Sequence, residues 1–205
     1  MKEARHHEIL YPFARYYTGY RLGRHFRSVE YIGERTETGL SVLLLSNHVS
    51  WWDGLWNFRF VTQVLKRRFY FMSGERQLEE HPFLNRIGGF SVRRDAAGAR
   101  ESLRYAADLL TASRNAVLIY PQGEIGSVYE DRIRFRRGAA FLLQRLPEAV
   151  ELLMMAYFTE NGNRSRPLVR GYFVSCNGIV GENLEEEYLA FYRESREKHI
   201  QSLER

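Results

Sequence analysis

Lysine is nearly missing from this chain: Lys2, Lys66 and Lys198 are the only lysines among 30 basic residues, so arginine carries almost all of the positive charge. The planar guanidinium fork suits phosphate and carboxylate pairing, and a net charge of +5 favours anionic partners. Phospholipid headgroups, coenzyme A phosphates, an acidic carrier protein and nucleic acid all fit, and charge does not choose among them. Cysteine is scarcer still. A single Cys176 excludes an internal disulfide and a cysteine-rich zinc site, and it fits a reducing compartment. Long apolar runs are absent too. Nothing approaches the roughly 20 residues needed to cross a bilayer, and Glu3, His6, His7 and Glu8 break any signal-peptide profile at the N-terminus. The expectation is a cytoplasmic protein that meets the inner face of a membrane peripherally.

What is present is a folding composition. With 205 residues, 44% hydrophobic and 27% charged, the chain is expected to form a single domain that buries roughly 70% of its unfolded surface. Residues 1–28 read as an N-terminal amphipathic helix, 29–180 as the core and 181–205 as a charged C-terminal helix. Within the first segment, Ile9, Phe13, Tyr16 or Tyr17, and Tyr20 recur at helical spacing between Arg15, Arg21, Arg24 and Arg27. That stripe either packs on the chain's own sheet or lies at a lipid interface.

Strand patterns cover Val29 to Ile32, Ser41 to Leu45, Phe69 to Met72, Ala116 to Tyr120, Leu152 to Phe158 and Leu168 to Ser175, and Gly88 to Arg94 reads as a turn, a short strand and a basic rim. Helices are expected over 52–65, 95–113 and 136–146, with a crossing at 75–84 interrupted by Pro82. Such alternation predicts an α/β domain with a largely parallel central sheet flanked by helices. Sites on sheets of this kind form beyond the carboxyl ends of strands. His48, Arg93 with Arg94, and Gln122-Gly123-Glu124 all fall there.

The most informative stretch is Leu43-Leu44-Leu45-Ser46-Asn47-His48-Val49-Ser50-Trp51-Trp52-Asp53, in which a buried strand delivers an imidazole and an aspartate follows five residues later. Ser50 and Asp53 also fit the serine-x-x-acid box that opens many helices. Three further stretches resolve the ambiguity. In order with Asn47-His48-x-x-x-x-Asp53, the segments Gly88-Gly89-Phe90-Ser91-Val92-Arg93-Arg94, Tyr120-Pro121-Gln122-Gly123-Glu124-Ile125 and Phe135-Arg136-Arg137-Gly138-Ala139 resemble the signatures of the glycerolipid and lysophospholipid acyltransferase family. The match covers roughly residues 29 to 160.

The resemblance implies an O-acyltransferase similar to a 1-acylglycerol-3-phosphate acyltransferase. Its substrates would be acyl-CoA or acyl-carrier protein as donor and a lysophospholipid or related lipid as acceptor, with no metal or other cofactor and no nucleic acid. His48 would be the general base and Asp53 would hold its tautomer, since a neutral imidazole suits deprotonation of an acceptor near pH 7. Arg94 and Arg93 would bind the acceptor's phosphate, together with the turn Gln122, Gly123 and Glu124, whose backbone amides around Gly123 are candidate oxyanion donors. The third signature departs from the family: its glutamate is Gln122, its threonine Glu124 and its arginine Ile125. One phosphate-binding cation is therefore missing, and Arg134, Arg136 or Arg137 would have to replace it. Thioester hydrolysis and a non-catalytic lipid- or acidic-protein-binding module are the alternatives. A covalent route through Ser46 or Ser50 is a minor one.

Overall fold

The computed structural model describes residues 1–35, 37–93, 95–130, 132–176 and 183–203. One seven-stranded sheet organises them: β1 (Ser28–Glu34), β2 (Ser41–Ser46), β3 (Arg68–Gly74), β4 (Gly89–Val92), β5 (Asn115–Ile119), β6 (Val150–Glu160) and β7 (Leu168–Ser175). Their spatial order is β1-β7-β6-β2-β5-β3-β4. From β6 to β4 every neighbouring pair is parallel, whereas β7 pairs antiparallel with β6 and carries β1 parallel to itself. Five strands thus end at one edge of the sheet, and two run against them.

Strand alternation divides the core into two layers. Val42 and Leu44 of β2, with Ala116 and Leu118 of β5, pack under α1 (Leu10–His25) and α2 (Asp53–Arg59). Leu43 and Leu45, with Val117 and Ile119, face α4 (Ala96–Leu109), α5 (Arg137–Leu143) and α6 (Leu184–Gln201). All six residues of β2 are buried, as the unbroken apolar run requires of a central parallel strand. The remaining helix is α3 (Glu75–Glu80), followed by a 3-10 turn at Pro82–Leu84 where proline's fixed φ ends the regular helix.

Three features depart from the sequence reading. The helix expected over 52–65 changes register midway, its second half being a π-helix from Phe60 to Val64. Residues before α1 form a strap along the exposed edge of β4: Ser91 N–H donates to the Lys2 carbonyl at 2.9 Å, Arg5 N–H to that of Asn85 at 2.9 Å and His7 N–H to that of Arg86 at 3.0 Å. Covering an edge strand removes a template for unwanted pairing. Finally, α1 turns Tyr11, Ala14, Thr18 and Leu22 inward, leaving Ile9, Phe13, Tyr16, Tyr17 and Tyr20 between 41% and 74% exposed. The aromatic stripe does not pack on the chain's own sheet.

Candidate active site

β2 ends at Ser46, and the next residue replaces the ladder it has left. The Asn47 side chain donates Nδ2–H to the Tyr157 carbonyl at 3.1 Å and accepts the Tyr157 amide at 2.9 Å, so it clips the turn onto β6 as another strand residue would. His48 is then fixed through its own peptide. Its N–H donates to Gln122 Oε1 at 2.7 Å, and its carbonyl accepts from Gly126 N–H at 2.8 Å. The turn after β5 thereby grips the turn after β2.

The imidazole is held as firmly. His48 Nδ1 lies 2.9 Å from Asp53 Oδ2, which also accepts the amides of Val49 at 2.6 Å and Ser50 at 2.9 Å. Asp53 therefore orients the ring and makes only one half of the helix-opening box, by accepting the Ser50 amide, since α2 begins at Asp53 itself and Ser50 Oγ bonds the Trp52 amide instead. On the ring's face, Tyr120 stacks with centroids 4.0 Å apart and planes inclined by 10°. Asn57 ties the floor together, donating to the Asp53 carbonyl at 3.0 Å and lying 3.4 Å from the Tyr120 hydroxyl.

Asp53 is fully buried, and its second oxygen, Oδ1, has no hydrogen-bond partner. Burial pushes its carboxyl above the ordinary range, against the hydrogen bonds from His48, Ser50 and Val49 that favour the charged form. The His48 side chain keeps 22% of its surface exposed. Asp53 Oδ2 already accepts two amides, so it faces Nδ1 as an acceptor, and Nε2 is the ring nitrogen left without a hydrogen-bond partner among the described residues.

The remaining expected residues fall into place unevenly. Gln122 is 9% exposed with its carbonyl committed to His48, so it positions the base rather than reaching outward. Being neutral, it keeps a second buried negative charge away from Asp53. Gly123 has φ +70, a conformation that favours glycine, and a Cβ there would push on the flexible Arg136 side chain, whose Cδ lies 2.7 Å from its position. Its own amide closes the turn on the Tyr120 carbonyl at 3.0 Å. Glu124 pairs with Arg136 at 3.2 Å, and Arg136 Nε also donates to the Gln122 carbonyl at 2.9 Å. Arg136 thus stands beside the turn from which the signature arginine is missing.

Arg93 lies on the same edge but three strands from β2, roughly 14 Å at ~4.8 Å per strand. Its Nε donates to Asp95, the residue that caps α4. Arg94 lies outside the described residues. Ser46 is fully buried, and Ser50 Oγ accepts the Trp52 amide at 3.1 Å, so neither is placed as a nucleophile on His48. Clefts near Arg15 and near Arg164 are lined by residues other than those around His48. Sequence reasoning missed the structural use of Tyr120, Asn47 and Gln122. An aromatic residue directly after a buried strand was the available signal for the first.

The site is thus a histidine-aspartate pair just beyond the carboxyl end of a central strand in a mostly parallel sheet. The family model for acyltransferases matches residues 28–157, and the chain belongs to that family. Among solved structures it is similar to the 1-acyl-sn-glycerophosphate (LPA) acyltransferase PlsC from Thermotoga maritima, with a TM-score of 0.58 at 13% identity over 96% of this chain and 80% of that one. At that identity the likeness is one of fold, and it extends to the mostly parallel sheet and its helices. No curated protein matches the sequence.

Proposed function

We propose that the chain is a membrane-surface O-acyltransferase that moves a fatty acyl group from acyl-CoA or acyl-carrier protein to the hydroxyl of a lysophospholipid or related lipid. The observation that carries this reading is the His48–Asp53 pair, anchored at 2.9 Å through Nδ1 with the other ring nitrogen left for chemistry. His48 Nε2 takes the acceptor's proton as its oxygen attacks the thioester carbonyl carbon. The carbonyl oxygen becomes an oxyanion, the carbon–sulfur bond then breaks, and the imidazolium returns its proton to the departing thiolate. Asp53 stabilises the imidazolium through that cycle, and the Tyr120 ring offers it a π-face. General-base assistance supplies roughly 100- to 10,000-fold, and holding two substrates together supplies much of the rest. With the Gly123 amide engaged, the amides of Glu124 and Ile125 are the donors this scheme assigns to the oxyanion.

A membrane surface is supported by where the apolar exposure concentrates. Trp51 at 65% follows His48 by three residues, Ile125 at 55% precedes Gly126, whose amide bonds the His48 carbonyl, and Trp51 packs on Trp52, which meets His25 at the end of α1. Among the described residues no helix is long and apolar enough to cross a membrane. For the acceptor's anionic group, Arg136 compensates for Ile125, while Arg93 and Arg94 stay assigned by the family resemblance.

The test offers purified protein a long-chain acyl-CoA or acyl-carrier protein with and without a lysophospholipid. Free thiol is expected only with the acceptor, together with a lipid heavier by one acyl group. Thiol release at full rate without acceptor would make the protein a hydrolase. Vesicle binding with no product from any thioester would make it a binding module.

A further inference from the structure

A hydrogen bond fixes a point of a ring and leaves its plane to be fixed by something else. Asp53 holds His48 by one atom, Nδ1, at 2.9 Å, and the χ2 torsion of histidine is a broad one that such a tether does not close. The plane matters for a base, because an imidazole nitrogen takes a proton along a lone pair that lies in it. Whatever sets that plane aims the base.

Tyr120 is the group placed to set it. Its ring covers one face of the imidazole, with centroids 4.0 Å apart and planes 10° from parallel. Among the described residues no other two rings lie so close or so nearly parallel: the next are His6 with Tyr11 and Tyr70, at 4.6 Å, and Phe13 with Tyr17, inclined by 18°. Packing elsewhere in the core is mostly edge-on or tilted, so this flat contact is particular to the site.

The phenol ring is itself braced from both ends. Its backbone follows the last residue of β5, and its hydroxyl accepts a long bond from Asn57 Nδ2 of α2, at 3.4 Å. Asn57 in turn accepts the Tyr157 hydroxyl of β6 at 3.3 Å and donates to the Asp53 carbonyl at 3.0 Å. Two central strands and the helix that carries Asp53 therefore converge on one ring. Burial pushes the Tyr120 hydroxyl well above its usual range, so the phenol stays neutral and acts by its position rather than by titrating.

We infer that Tyr120 is a positioning residue for acyl transfer: stacked on one face of His48, it fixes the plane in which Nε2 meets the acceptor hydroxyl and leaves the edge of the imidazole as the line of approach. The inference rests on His48 being the base, while the ring contact itself is readable without turnover. The aromatic ring supplies the alignment, and the hydroxyl only braces it. Loss of alignment belongs in kcat rather than KM, because misplacing a reacting atom by about 1 Å costs as much as 100-fold in rate while the acceptor's other contacts stay intact.

The experiment compares the full chain with Tyr120→Phe and Tyr120→Leu in two measurements. The first is the proton magnetic resonance spectrum of the histidine rings, with His48 assigned by its disappearance in His48→Ala. In wild type and Tyr120→Phe the His48 ring protons are expected upfield of those of an exposed histidine, because they lie over an aromatic face, and in Tyr120→Leu that displacement is lost. The second is steady-state acyl transfer from acyl-CoA to a lysophospholipid. Tyr120→Leu is expected to lose about 10- to 100-fold in kcat with KM within about threefold, and Tyr120→Phe to keep kcat within about threefold. Wild-type His48 resonances without the upfield displacement overturn the inference, so a Tyr120→Leu protein that does not fold leaves the first measurement to decide. With Tyr120→Leu folded, a kcat equal to that of Tyr120→Phe, or a loss carried by KM alone, overturns it as well. A wild-type rate in His48→Ala would instead sink the base assignment, and the inference with it, even with the displaced resonances present.

Discussion

Glu151, near the amino end of β6, and Asp53, beyond the carboxyl end of β2, are both fully buried, yet they are held in opposite ways. Glu151 receives both bonds of the Arg35 fork and the hydroxyls of Thr38 and Ser175. Burial would raise its carboxyl, but Arg35 and the two hydroxyls outweigh that and hold it below its usual range. Asp53 takes three bonds on one oxygen and none on the other, and its carboxyl is held above the usual range by burial. The first carboxylate is satisfied and fastens the segment after β1 to the sheet. The second is kept short of partners, and what it gains is the orientation of a reactive ring. A buried carboxylate with one oxygen left unpartnered, beside another whose oxygens are both bonded, is the pattern expected of a site built for function.

Exchanging each acid for a neutral residue separates these roles. Asp53→Asn is expected to lower turnover by about 10³- to 10⁴-fold, because the amide no longer holds the Nδ1–H tautomer of His48. Its melting temperature is expected to stay level or rise, since a desolvated charge is removed. Steady-state rates and a thermal melt on one preparation check both halves, and a variant that unfolds would contradict the comparison. Glu151→Ala has the reverse signature: about 3–5 kcal/mol of stability lost through a stranded Arg35, with turnover per folded molecule unchanged. Denaturant titration beside the same assay measures it.

The smallest effect is in the pH dependence of stability, where the two acids act with opposite sign. A carboxyl lowered on folding contributes stability above its unfolded pKa and loses it as pH falls through the folded value. A carboxyl raised on folding does the reverse, so the folded state weakens as pH climbs through the window above about 4. Melting curves between about pH 3 and 6 should therefore show wild type gaining on Glu151→Ala as pH rises and losing ground to Asp53→Asn. Parallel curves for both variants would erase the distinction between the two sites.

Much of this arrangement was legible in the sequence. Seven strand patterns gave seven strands, Leu168–Ser175 matches its expected bounds, and in β2, buried at every position, burial on both faces writes itself as unbroken hydrophobicity. The pairing of His48 with Asp53 was legible from spacing together with the family signatures. The face of α1 was not. Tyr11, Ala14, Thr18 and Leu22 have the same helical period as the aromatic stripe, and small or polar inward residues are outweighed in sequence by large outward ones. A π-turn has no residue signature, so the register change from Phe60 to Val64 was invisible. The grip of Gln122 on the His48 amide spans 74 positions, and only the parallel pairing of β2 with β5 brings the two turns together.

The central claim is that His48 removes the acceptor's proton, and the most direct test is turnover by His48→Ala with donor and acceptor both saturating. The ring is partly exposed and bonds only to Asp53, so the variant is expected to melt close to wild type while acyl transfer falls by at least about 100-fold. Transfer at the wild-type rate by a folded His48→Ala protein would contradict the account.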